Sequence, residues 1–251
     1  MRELKLIEGR EAPIYFAEST DSTNTRLKEL ARQCAPHGTV AAALEQTGGK
    51  GRLGRSFASP PGGLYLSILW RPDFPPEKAS RLSCAGALAA SAAIEEICGI
   101  SPEIKWPNDL MLNGKKISGI LTEAAWQGEG GGFVIVGTGI NVNTEQFPEG
   151  LKGIASSLYL ETGRSWELER LAAAFIARLD SIYAAWGEEG GAYIEEYRRR
   201  CITPGRDILI DHDGSRARAR ALSVEDDYSL RIQWPDGREE KKSFGEIFPA
   251  V

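Results

Sequence analysis

A chain of 251 residues can bury one large core, or a large core with a small one beside it. Its 35 acidic residues outnumber its 30 Lys and Arg for a net charge of -5, which argues against a surface committed as a whole to DNA or to an anionic membrane. The opening segment MRELKLIEGREAPIYF scatters charges among its apolar positions, unlike a signal peptide, and no later run is long enough to span a bilayer, so a cytoplasmic location is expected.

In chain order, Leu27, Leu30, Ala31 and Cys34 fall on one helical stripe, preceded by the capping types Ser22, Thr23 and Asn24, and predict a helix over 23–34. TVAAALE (39–45) and LYLSILW (64–70) read as buried strands joined by a segment rich in Gly, Arg and Pro. An Ala-rich helix over 78–98, apolar on more than one face, should pack against a sheet. EIKW (103–106), DLMLNGKKISGILTEA (109–124) and GFVIVGTGI (132–140) follow as strands, with Asn113 and Gly114 marking a two-residue hairpin turn. Helices are expected over 165–186 and 193–200. Beyond Thr203 the short strands RDILI, RARARALS, YSLRIQW and REEKKSF, separated by DHDG, EDD and PDG, have the spacing of a small barrel. Two domains are therefore expected, 1–203 and 204–251.

Three stretches can carry chemistry. GGKGRLGR (48–55) packs four glycines and three cations, Lys50, Arg52 and Arg55, into one loop, where exposed N–H groups and positive charge suit an anion; a basic surface loop has the same composition. KWPNDL (105–110) brings a cation, an amide and a carboxylate together at a proline, a set able to hold Mg²⁺ and polyphosphate, or simply a solvated turn. Lys116 enters the apolar run ISGIL, where its charge is costly unless an anion compensates or the side chain reaches solvent. His37 and His212 have no partner at metal or triad spacing, the scattered Cys34, Cys84, Cys98 and Cys201 read as reduced thiols, and Trp106, Trp126, Trp186 and Trp234 read as core or interface.

Taken in order, DSTN (21–24), EQTGGKGRLGR (45–55), KWPNDL, KKISGIL (115–121) and GTGINVN (137–143) resemble the motifs of the biotin protein ligase family over about 21–157, and the C-terminal strands are similar to that family's small SH3-like domain. The resemblance implies an α+β fold: a mixed sheet with helices, similar to class II aminoacyl-tRNA synthetases, plus a small C-terminal barrel. It implies a ligase that uses ATP and Mg²⁺ to form biotinyl-5′-AMP and then biotinylates one lysine of a biotin carboxyl carrier protein, of acetyl-CoA carboxylase or a related carboxylase.

On that resemblance, Lys116 and Arg52 are the catalytic candidates. Biotin falls to Ser22, Thr23, Asn24, Gln46, Gly49, Lys50, Gly51, Arg52, Phe57, Lys116 and Gly119, ATP to Arg52, Arg55, Lys105, Asn108, Lys116 and Asn141, and the metal to Asp109. Lys50 departs from the family, which commonly has Arg there, and a bidentate guanidinium contact is thereby lost. About twenty residues precede DSTN, so the family's N-terminal winged helix-turn-helix is expected to be absent and no DNA is expected as a partner. Exposed strand edges can pair with a second copy of the chain or with the carrier. Two rival readings are a lipoate ligase, whose dithiolane substrate has no ureido group to meet Ser22, Thr23 and Gln46, and a biotin sensor without transfer, which has no need of the retained cations.

Overall fold

The computed structural model describes residues 1–74, 79, 81–126, 132–185, 191–212, 215–243 and 245–249. Its centre is β4 (Leu64–Trp70), buried at every position, which pairs antiparallel with β3 (Val40–Gln46) on one side and β8 (Gly132–Ile140) on the other. Beyond β8 lie β7 (Lys115–Trp126), β6 (Asp109–Leu112) and β5 (Glu103–Lys105); beyond β3 lie β2 (Ile14–Thr20), parallel to it, and β1 (Arg2–Leu4). The fold is α+β, with one eight-stranded mixed sheet and a five-stranded antiparallel sheet near the C-terminus.

Strand alternation divides the main core between two faces. Leu66, Ile68, Trp70, Val134 and Val136 point to the face covered by α2 (Leu82–Cys98), itself backed by α4 (Leu168–Ala184). Sandwiched between sheet and helix, α2 is apolar nearly all round, as its Ala-rich sequence implies; Gly86 lets it approach so closely that a Cβ there would sit 2.9 Å from Ile120. Ala41, Leu69, Phe133 and Ile135 point the other way, to Leu27 and Ala31 of α1 (Thr23–Arg32). Helix α1 covers only part of that face. The rows continue past its N-terminus as Ser67 on β4, Gly137 and Gly139 on β8, and Gly119 and Leu121 on β7, in the registers Ser67↔Gly137↔Leu121 and Tyr65↔Gly139↔Gly119.

The second sheet runs β12 (Glu239–Lys242), β11 (Leu230–Gln233), β10 (Ser215–Val224), β9 (Asp207–His212), β13 (Ile247–Pro249). It is joined to the first through Trp106, whose indole Nε1 donates to the Tyr228 carbonyl (2.9 Å) and whose backbone N–H donates to Thr203 Oγ1 (3.0 Å). Trp106 is buried, and Tyr197 of α5 (Gly191–Arg200) packs edge-on against Tyr228 while donating its hydroxyl proton to the Pro107 carbonyl.

Several elements differ from the sequence expectation. Strands β1, β2 and β13 and the short helix α3 (Leu158–Thr162) were not anticipated, because each is too short or too polar to carry a periodic signal. Helix α1 stops at Arg32, with Cys34 in the left-handed region at φ 61°. Helix α4 starts at Leu168, after the extended N-cap Glu167, and the Trp166 N–H donates to Asn143 Oδ1 (2.9 Å). The expected helix over 78–98 starts at Leu82; Lys78, like Trp186 at the expected end of the later helix, lies outside the described residues.

Candidate functional site

The uncovered strip beyond α1 is the floor of a cleft with two compartments that share Lys50, Phe57, Gly119 and Leu121. Its shape follows from glycine. A Cβ on Gly137 would fall 2.1 Å from Asn24 Oδ1, and one on Gly139 would fall 2.5 Å from the Phe57 ring, so both strand positions must lack a side chain.

The inner compartment is lined by Ser22, Thr23, Asn24, Gln46, Thr138 and the glycine floor. Ser22 stands at the N-cap of α1 but its hydroxyl makes no capping bond; Gln46 Oε1 accepts the Thr23 N–H instead (2.8 Å). Gln46 Nε2 in turn donates to Ser59 Oγ (3.0 Å), which fixes the amide's orientation. Asn24 is held at both ends: Nδ2 donates to Glu123 Oε2 (2.8 Å), and Oδ1 receives Ser67 Oγ–H (2.6 Å). Burial pushes the Glu123 carboxyl up, but the bonds from Lys28 (2.5 Å) and Asn24 outweigh it and hold the pKa below the usual range.

The outer compartment is cationic. It is formed by the glycine-rich loop, the turn after β5, the start of β7 and the segment entering β13, and holds Lys50, Arg52, Arg55, Lys105 and Lys116 against Asp109 and Glu246. The loop is a tied hairpin: Phe57 N–H donates to the Gly49 carbonyl (2.9 Å) and Gly51 N–H to the Arg55 carbonyl (2.7 Å). Gly49 is required, since its Cβ would lie 2.3 Å from the Phe57 carbonyl, whereas Gly51 has ordinary room. Arg52 Nη1 donates to Asn108 Oδ1 (3.0 Å) and Asn108 Nδ2 to the Ile120 carbonyl (2.6 Å), so loop, turn and β7 form one chain of contacts. Lys116 Nζ pairs with Asp109 Oδ1 at 2.6 Å and lies 5.9 Å from the centre of the Phe57 ring, at the boundary between compartments. Lys105 is held below the ordinary lysine pKa, first by burial and then by the Lys116 charge, with Asp109 pulling the other way.

All the sequence candidates except Asn141 line one compartment or are bonded to residues that do. Gly49 supports the loop from behind. Lys50 lines both compartments and spends its ammonium on Thr25 Oγ1 (3.0 Å). Asn141 lies in neither lining; it is buried behind Lys116, its Nδ2 donating to the Ser156 carbonyl (2.9 Å) and its Oδ1 without a hydrogen-bond partner. Among the described residues no group of three His, Cys, Asp or Glu could hold a metal. Asp109 fits one need only: Mg²⁺ is usually held by one or two carboxylates together with phosphate oxygens.

Residues 16–141 match the biotin/lipoate A/B protein ligase family. The chain belongs to that family. It is 30% identical over 230 residues to the biotin–[acetyl-CoA-carboxylase] ligase of Paracoccus denitrificans, covering 88% of this chain and 94% of that one. It is 42% identical over 153 residues to the bifunctional ligase/repressor BirA of Bacillus subtilis (strain 168), covering 60% of this chain and 47% of that protein, so it spans about half the length of that relative. Among solved structures, the biotin protein ligase from Aquifex aeolicus in complex with biotin and ATP superposes with a TM-score of 0.81 at 29% identity, covering 94% of this chain and 97% of the other.

Sequence reasoning missed several members of this family member's cleft. Gly137 and Gly139 were visible as glycines two apart in an apolar strand, the signal for a bare patch on one sheet face. Glu246 and Ile247, which close the outer compartment from the far end of the chain, had no such signal; Glu246 forms a two-pronged pair with Arg55.

Proposed function

We propose that this chain is an ATP-dependent biotin protein ligase that makes biotinyl-5′-AMP and transfers biotin to one lysine of a biotin carboxyl carrier protein. The observation that carries the reading is the single cleft running from a chamber lined mainly by hydroxyl and amide groups and glycine to a cationic one, with Lys116 at the junction. The ureido ring belongs in the inner chamber, against Ser22, Thr23 and Gln46. The valeryl chain leaves past Phe57 and Gly119 and brings its carboxylate to Lys116.

In the first half-reaction a biotin carboxylate oxygen attacks the α-phosphorus of ATP, the bond to the β,γ-phosphates breaks, and pyrophosphate departs. Lys116 stands where two anions must meet; its ammonium lowers their repulsion and stabilises the charge that gathers on the α-phosphate. Arg52, Arg55 and Lys105 receive the remaining phosphate charge, and Asp109 is the carboxylate that would hold the Mg²⁺ accompanying ATP, which would supply further charge neutralisation. In the second half-reaction the neutral amine of the carrier lysine attacks the acyl carbon, the bond from that carbon to the phosphate oxygen breaks, AMP leaves with the electron pair, and the amine gives up a proton to solvent as the amide forms.

The domain division at Thr203 and Pro204 belongs to the same proposal, supported by the change of sheet at β9 and by Thr203 itself bonding to Trp106. So do an enzyme that does not bind DNA, supported by the net charge of -5, and a cytoplasmic location, supported by four free cysteines. No described helix is long and apolar enough to cross a membrane. Strand β1 ends the main sheet and offers an edge for a second copy or for the carrier. The test is pyrophosphate release with ATP, Mg²⁺ and either biotin or lipoate, with and without a carrier domain. Release with biotin, followed by amide formation on the carrier, is expected; release with lipoate alone, or biotin binding without release, overturns the reading.

A further inference from the structure

Glu123 lies on β7 outside the outer compartment and does not line the inner one, yet it determines which way the protons run behind the inner chamber. An ionised carboxylate can only accept. Its 2.8 Å contact with Asn24 therefore fixes that amide with nitrogen toward Glu123 and oxygen toward Ser67. The amide oxygen also can only accept, so the single Ser67 hydroxyl proton goes to Asn24 Oδ1 at 2.6 Å. Ser67 then meets Thr23 Oγ1, 2.7 Å away, with a lone pair, and Thr23 must give its own proton to Ser67. The rival acceptor for that proton, Gln46 Oε1, is farther off at 3.1 Å and already takes the Thr23 backbone N–H.

We infer that Glu123 is a specificity-determining positioning residue: acting through Asn24 and Ser67, it makes Thr23 Oγ1 a pure acceptor toward the chamber, so that the chamber selects a ligand bearing an N–H donor, as a cyclic urea does and a dithiolane does not. The inference rests on the biotin reading and deepens it. Lys28 keeps the device charged by donating to the second carboxylate oxygen at 2.5 Å. With Glu123 replaced by Gln, the neutral amide can either donate or accept, the Asn24 amide is left with only the longer contact from Nδ2 to the Leu121 carbonyl (3.5 Å) to hold its sense and can turn over, and the hydroxyl chain can reverse toward Gln46. Thr23 would then spend its proton on Gln46 Oε1 and one lone pair on the Ser67 hydroxyl, so that both Thr23 and Gln46 meet the chamber with one acceptor site fewer.

The experiment measures binding calorimetrically, without ATP, for biotin and for the two lactam analogues in which one ureido N–H at a time is replaced by CH₂. The parent protein should prefer biotin over one of the lactams by about tenfold or more, the worth of one buried hydrogen bond. Glu123→Gln should shrink that preference to within about threefold, mostly by weakening biotin. Ser67→Ala, which leaves Glu123 and its lysine in place but removes the middle link, should do the same and serves if the first variant folds poorly. A role confined to general structure would weaken biotin and both lactams by one common factor and preserve the preference; that outcome, in either variant, overturns the inference. A parent protein that binds biotin but shows no preference over either lactam also overturns it and leaves the ligase reading standing. A parent that binds no biotin removes both.

Discussion

In the inner compartment Gln46 and Asn24 meet the ligand space with their partners already chosen: Gln46 through Ser59 and the Thr23 N–H, Asn24 through Glu123 and Ser67. In the outer compartment the cations rest on groups that a ligand can displace: Lys116 on Asp109, Arg55 on Glu246, Arg52 on Asn108. The first arrangement stores hydrogen-bond direction at the moment of folding and is nearly indifferent to salt. The second stores charge, which is drawn onto phosphates when they arrive and is screened in solution. Substitutions inside should therefore change which ligand is accepted, and substitutions outside should change how fast anions are joined and how long they are kept.

The largest effect is expected at the boundary. Lys116→Ala should slow adenylate formation by about a hundredfold or more, as for loss of one preorganised charge contact in an enclosed site, with a smaller loss of biotin affinity from the lost contact to its carboxylate. Single-turnover pyrophosphate release alongside a biotin titration checks this, and equal losses in both would erase the distinction between compartments. Next comes Arg52→Gly, which breaks the link from the loop to Asn108. Adenylate should still form, since Lys116 remains, but should dissociate on the order of tenfold faster, about the worth of one charge-assisted hydrogen bond, and label lysines beyond the carrier. Retention equal to the parent's would show that the loop does not hold the outer end of the ligand. A smaller change is expected from Thr203→Val, which leaves the buried Trp106 N–H without its acceptor. It should cost about 1–3 kcal/mol of stability in denaturant titration and raise the KM for ATP, not for biotin.

Much of this cleft was legible because its chemistry sits in short consecutive motifs. DSTN begins a helix, KWPNDL makes a turn and KKISG opens a strand, so neighbours in sequence become neighbours in the site. Strands β4 and β8, buried across nearly their whole length, matched the apolar runs LYLSILW and GFVIVGTGI residue for residue. What could not be read depends on distant pairing. Glu123 reaches Asn24 across 99 residues and Glu246 reaches Arg55 across 191, and no local pattern announces either. Strand β2 carries exposed polar positions near the edge of the sheet, so it lacks the apolar signature of the central strands. Lys116 illustrates the opposite case: a lysine entering ISGIL signalled an unusual environment, and its partner Asp109 lay only one hairpin away.

Lys105 sharpens the comparison at its weakest point, because it is the outer cation with the least support from the protein. Its pKa is lowered chiefly by burial and by the nearby Lys116 charge, so the ligand-free fold disfavours its protonated form. Between the lowered folded pKa and the ordinary lysine value of 10.5, the unfolded chain binds more protons, and this residue's contribution to stability rises with pH through that window. A phosphate beside it reverses the sign by favouring the ammonium and pushing the pKa back up. ATP binding at alkaline pH should then take up a proton, and the KM for ATP should rise as Lys105 deprotonates below the pH expected for a free lysine. Lys105→Met removes the penalty and the attraction together. Its ligand-free Tm should be equal to or slightly above the parent's, its KM for ATP should be higher by about tenfold or less, as befits one partly solvated contact, and the alkaline rise in KM should flatten. Thermal melts with and without nucleotide, and KM for ATP followed across the alkaline range, read all three. A variant that melts lower without ligand and keeps the parental pH profile would mean that Lys105 holds the turn together instead of waiting for an anion.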